Sequence, residues 1–68
     1  MTISYEKLWR KMKENRMKKS ELAVAAEIGS YSMTKLNKSQ PVAMEIMIRL
    51  CKLFHCDIGD LMEVIEDD

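Results

Sequence analysis

The stretch from Lys19 to Leu36, KSELAVAAEIGSYSMTKL, constrains the fold more than any other part of the chain. Leu22, Ala23 and Ala26 fall at the three- and four-residue spacings of one helix face. Met33 and Leu36 begin a second face of the same kind. Between the two lie Ile28 and Gly29, a break too short to be an independent loop. Helices joined so tightly cross at a steep angle, as in a helix-turn-helix. The spacing predicts a first helix over residues 19–26 and a second over 30–37, with Gly29 as its N-cap. Ala23, small and central in the first helix, lets the second pass close by.

At these residues the chain resembles the helix-turn-helix family of phage Cro and repressor proteins. The apolar pattern carries the resemblance, with polar Ser30, Tyr31, Ser32, Thr34 and Lys35 on the second helix. It continues through PVAMEIMIRLCKLFHCDIGDLMEVI, similar to the two further helices of such domains, and covers the chain from about Ser4 to Ile65. It implies an all-α fold, a compact five-helix lambda-repressor-like domain whose helices 2 and 3 read DNA. One departure stands out. Glu27 occupies the turn position where the family usually carries glycine, and a non-glycine residue in left-handed backbone costs roughly 1–2 kcal/mol. Gly29, two residues on, is expected to take over that conformation.

With 68 residues the chain makes one domain, 1–68, with a core that needs good packing or dimerisation. Few glycines, prolines and aromatics favour helices. No apolar run approaches the ~20 residues of a membrane span. The N-terminus lacks a signal-peptide core. The expected location is therefore cytoplasmic.

Net charge is zero, but its distribution is not even. Residues 1–40 carry nine basic and four acidic side chains, a net +5; residues 41–68 carry two and seven, a net −5. The basic part holds the helix-turn-helix, as in a DNA-binding domain. The bland reading is a set of solvated helix faces.

Elsewhere the pattern is as follows. Ser4 is read as the N-cap of a helix over 5–15, with Tyr5, Leu8, Trp9 and Met12 as its apolar stripe and Trp9 at the core or its edge. Met17 is a buried link. After Pro41, a helix over 43–54 presents Met44, Met47, Ile48, Leu50, Cys51 and Phe54 to the core. Ile46 and Leu53 lie off that stripe, so this helix is apolar over more than half its circumference, as expected of the most buried helix. Asp57 looks like an N-cap, with Asp60 three residues on, for a fifth helix over 58–65 burying Ile58, Leu61, Met62 and Ile65. Gly59 in its first turn weakens it. The tail 66–68 is expected to fray.

Cys51 and Cys56 are five apart, so on a helix they would not face each other. They match no common zinc spacing, and His55 does not complete one. They are read as packing residues, His55 as a helix-end residue, and most of the seven methionines as core filler.

The resemblance supplies roles for the site. Lys18, Lys19 and Ser20 flank the start of the first helix of the pair, which touches the DNA backbone in the family; helix starts also favour phosphate in general. Ser30, Tyr31, Ser32, Thr34, Lys35 and Lys38 occupy the exposed arc of the second, which lies in the major groove. Ser and Thr bond several bases, so they specify weakly. No Arg, Gln or Asn occupies the early positions of this helix, which points to DNA shape and water as contributors to reading. Asn37 is placed at the helix end as a cap.

The expected function is a sequence-specific double-stranded DNA-binding transcriptional regulator, a repressor acting by promoter occupancy as a homodimer. The alternative is a protein-interaction module, antitoxin-like or an accessory subunit, with weak or lost DNA binding. No catalytic constellation, cofactor motif, metal spacing or small-molecule site is evident in the sequence, so no enzyme and no cofactor are expected.

Overall fold

The computed structural model describes residues 2–65. The order is β1 (Thr2–Ser4), α1 (Glu6–Glu14), α2 (Lys19–Ala25), α3 (Ser30–Asn37), α4 (Met44–Phe54), a single 3-10 turn (Ile58–Asp60) and β2 (Glu63–Ile65). Side chains from every helix meet in one core. Tyr5, Leu8 and Met12 come from the α1 region, Leu22 and Ala26 from α2 and its cap, Leu36 from α3, and Met47 and Leu50 from α4. Ile28 in the turn and Leu61 after the 3-10 turn complete it.

The helices number four among the described residues, not five. The expected helix over 58–65 stops after one turn. Asp57 does start it, and the Asp57 N–H donates to Asp60 Oδ2 at 3.1 Å. Gly59 inside that turn disfavours propagation. Beyond it, β-branched Val64 and Ile65 favour a strand, and a partner is available. β2 pairs antiparallel with β1, Thr2 opposite Ile65, Ile3 opposite Val64 and Ser4 opposite Glu63. Leu61 is fully buried, but Ile65 is 43% exposed, so the expected inward face is not kept. The frayed tail expected over 66–68 lies outside the described residues.

Ser4 ends β1 rather than capping α1, although its Oγ accepts the Glu6 N–H at 3.3 Å; Tyr5 is the capping residue. The α4 stripe is corrected too. Met47 and Leu50 are buried, yet Met44 and Ile48 are 60% and 45% exposed, whereas Ile46 and Leu53 are half-buried against the core. The core therefore meets α4 on a face rotated from the expected one, toward Ile46, Leu50 and Leu53. Of the methionines, Met12 and Met47 are buried and Met17, Met33 and Met62 half-buried. In α2 the buried small residue is Ala26, with Ala23 only half-buried.

All four helices end by the same device. Arg16, Glu27, Ser39 and His55 each take left-handed backbone, with φ of 53°, 54°, 57° and 54°. In each case the next N–H reaches five residues back. Met17 bonds the Met12 carbonyl at 2.8 Å, Ile28 that of Ala23 at 2.8 Å, Gln40 that of Lys35 at 2.9 Å and Cys56 that of Cys51 at 3.0 Å. This is the Schellman closure, which satisfies carbonyls the helix leaves open. Glycine is the usual residue at the left-handed position, and this chain uses it at none of the four. Gly29 does not take over from Glu27: its φ is −73°, extended, and it caps α3.

That arrangement carries a prediction. Glu27→Gly relieves left-handed strain that exceeds the entropy glycine adds to the unfolded chain, for a net gain of about 0.5–1 kcal/mol. In a domain of this size each kcal/mol moves Tm by roughly 4–8 °C. Thermal melts of the variant should show a rise, and a fall would mean that the Glu27 side chain stabilises the turn.

Candidate nucleic-acid interface

The helix-turn-helix begins at Lys18, the extended residue that caps α2. Its N–H donates to Glu21 Oε1 at 2.9 Å. The α2 start is thus already served by a carboxylate of its own, and phosphate binding there falls to the side chains of Lys18, Lys19 and Ser20, all exposed.

The turn is braced from α4. Arg49 donates from Nη1 to the Glu27 carbonyl at 2.9 Å, and from Nη2 to Glu45 Oε1 at 2.8 Å. The guanidinium thus links the strained turn residue to α4. Sequence reasoning missed Arg49 in this role. The four-residue spacing of Glu45 and Arg49 was the only signal available, and it speaks for a surface pair alone.

α3 follows as expected over Ser30–Asn37. Leu36 points into the core and Met33 is half-buried. Ser30, Tyr31, Thr34 and Lys38 are exposed, while Ser32 and Lys35 are half-exposed. Tyr31 is 73% exposed, with the Lys35 Nζ 4.7 Å from its ring centroid. A cation over a ring is worth about 0.5–1 kcal/mol at an exposed site, so the two side chains present themselves together. Thr34 gives its hydroxyl proton to the Ser30 carbonyl at 2.9 Å. It can still accept a hydrogen bond but no longer donates one. Asn37 is not a cap: Lys38 ends the helix, and the Asn37 Oδ1 accepts from Lys19 Nζ at 2.6 Å.

The loop after α3 is held from beneath. The Tyr5 hydroxyl donates to the Gln40 carbonyl at 2.8 Å. Burial pushes the Tyr5 phenol above its usual value of 10.0. A raised folded-state value means the stabilisation is complete below the unfolded value and is lost as pH climbs through the folded one. Tyr5→Phe is therefore expected to cost about 0.5–1.5 kcal/mol at neutral pH. It should also flatten part of the alkaline loss of Tm expected of the parent. Identical alkaline limbs would remove Tyr5 as a contributor.

Electrostatically the surface is open. Among the described residues, none of the Lys18, Lys19, Lys35 and Lys38 ammonium groups has a carboxylate within 4 Å; the ion pair nearby is Arg49–Glu45. The structure thus gathers the nine sequence-predicted residues into two groups, Lys18, Lys19 and Ser20 beside α2 and the rest along α3 and its cap. The Lys19–Asn37 bond joins the two groups.

Away from this surface, an open groove is lined by Lys11, Cys51, His55, Cys56, Asp57 and Asp60. The left-handed turn at His55 carries Cys56 off the helix and returns its N–H to the Cys51 carbonyl at 3.0 Å, so both cysteines line this groove. Burial raises both thiols above their usual value, so they stay protonated at neutral pH. No group of three or more metal-binding side chains stands together among the described residues. Nor is any described helix long and apolar enough to cross a membrane.

A family model described as Cro/C1-type HTH DNA-binding domain matches residues 7–67. A crystal structure of transcriptional regulator VanUg is similar with a TM-score of 0.92 and 32% sequence identity, over 97% of this chain and 88% of that one. No curated protein matches the chain.

Proposed function

Since the chain belongs to the Cro/C1-type helix-turn-helix DNA-binding domain family, we propose that it is a sequence-specific regulator of transcription, acting as a repressor by occupying promoter DNA. The observation that carries this reading is the exposed arc of α3. Tyr31 stands out with Lys35 stacked on it, and among the described residues no carboxylate lies within 4 Å of the lysine ammonium groups on either side. Phosphate contacts from Lys18, Lys19, Ser20 and Lys38 orient the domain. Ser30, Tyr31, Ser32, Thr34 and Lys35 reach base edges from the major groove. The similar VanUg structure is that of a transcriptional regulator, which supports the same role here.

The protein acts as a homodimer in the cytoplasm. A two-fold operator demands two copies, half-sites lying about one helical turn of DNA apart. Met44 and Ile48 on α4, apolar and exposed, supply surface for a second copy. The competing reading, a protein-interaction module with lost DNA binding, draws on the zero net charge and the lack of strong base readers in early α3.

Fluorescence anisotropy separates the two readings. One duplex carries the DNA upstream of the protein's own gene and the other is scrambled, each titrated at two salt concentrations. The regulator binds the first more tightly, with affinity falling steeply as salt rises. Equal, weak binding to both transfers the weight to a protein partner, sought next by pull-down.

A further inference from the structure

Three side chains from three helices meet at one edge of the helix-turn-helix. The Lys19 Nζ of α2 lies 4.3 Å from the ring centroid of Trp9 on α1. The same nitrogen donates to Asn37 Oδ1, at the end of α3, at 2.6 Å. No carboxylate lies within 4 Å of it among the described residues. An ammonium has three donors. Here one is used, the ring covers one side, and among the described residues the charge has no counter-ion within 4 Å. Among the described residues the Lys18 and Lys38 ammonium groups hold no such bond, and Lys35 has only the Tyr31 ring.

A free lysine gives up rotamer freedom when it meets a ligand, and prior immobilisation removes that loss. We propose that Trp9 and Asn37 are positioning residues that hold the Lys19 ammonium, un-neutralised, in place for one phosphate of the DNA duplex. The inference rests on the DNA-binding reading above. Neither positioning residue touches the DNA. The π face favours the charged ammonium electrostatically without cancelling it. The amide oxygen fixes its direction. The arrangement also ties the start of α2 to the end of α3, so phosphate contact and groove insertion share one rigid frame.

The test uses the full chain and a labelled scrambled duplex, with anisotropy read over a range of salt. Trp9 is the sole tryptophan, so its emission in the wild type reports the same edge independently. Lys19→Met is expected to weaken binding and to reduce the salt slope by about one phosphate contact. Asn37→Ala and Trp9→Leu are each expected to weaken binding roughly two- to five-fold, with the slope unchanged because Lys19 still reaches the phosphate. Combined with Lys19→Met, neither should cost anything further. Asn37 is exposed, so its variant folds even if Trp9→Leu does not.

Unchanged affinity in Asn37→Ala overturns the proposal. So does a loss that persists in full beside Lys19→Met, which marks a purely structural effect. If the wild type shows no salt-dependent duplex binding and no change in Trp9 emission, the DNA-binding reading itself fails, and this inference with it.

Discussion

Leu61→Ala is expected to remove a large share of this domain's stability, more than any surface change. Leu61 is fully buried, and its carbonyl accepts the Leu8 N–H at 3.1 Å. The backbone bond survives the substitution, but the side chain leaves a cavity beneath α1. Buried Leu→Ala changes cost about 2–5 kcal/mol. At the usual ~0.05–0.15 kcal/mol per residue, a chain of 68 residues holds about 3–10 kcal/mol, so this one change removes a large share of it. Ile65 supplies the contrast. It is 43% exposed, and Ile65→Ser should cost well below what Leu61→Ala does. A helix over 58–65 would bury both residues and make the two losses similar. Chemical denaturation of the pair therefore tests the strand ending as well as the core. Equal destabilisation would contradict the β1–β2 pairing.

The second large effect is on binding. Tyr31→Ala combined with Lys35→Ala should weaken operator affinity by about 1–3 kcal/mol, the range for a good base-reading contact. Tm should move by no more than about 0.5 kcal/mol of stability allows, since surface changes away from special backbone are nearly neutral. Tyr31 is 73% exposed and Lys35 half-exposed, and neither belongs to the core. Binding to scrambled duplex should fall less than binding to the operator, because the Lys18, Lys19 and Lys38 contacts remain. Equal losses on both duplexes would demote the pair to phosphate contacts. No loss on either would take it out of the interface.

The part of the fold legible in the sequence is the part with helical period and local signals. α2 and α3 lie within a residue of their expected bounds, with Gly29 as the cap between them. α4 begins one residue later than expected. The C-terminal segment was not legible. LMEVI offers apolar residues to a helix face and to a strand alike, and what decides it is a partner strand at the other end of the chain. The left-handed helix ends were hidden for a different reason. Arg16, Glu27, Ser39 and His55 carry no glycine signal, and tertiary packing imposes the conformation on them.

The site divides in the same way. The exposed arc of α3 follows from its period, since placing Leu36 inward fixes which side chains face out. The bonds that shape the surface were beyond reach. Arg49 to the Glu27 carbonyl, Tyr5 to the Gln40 carbonyl, and Lys19 between Trp9 and Asn37 join residues far apart in the chain. No spacing rule brings such pairs together; only the crossing of the helices does.

If α3 and the start of α2 form the surface that meets DNA, duplex should perturb them first. The most direct measurement is the change in backbone amide resonances as duplex is added to isotope-labelled protein. Shifts are expected to concentrate at Lys18–Ser20 and Ser30–Lys38, with α4 beyond Ile48 and the groove at Cys51 and Cys56 little changed. Shifts centred on α4 and β2, with α3 silent, would contradict that placement of the surface.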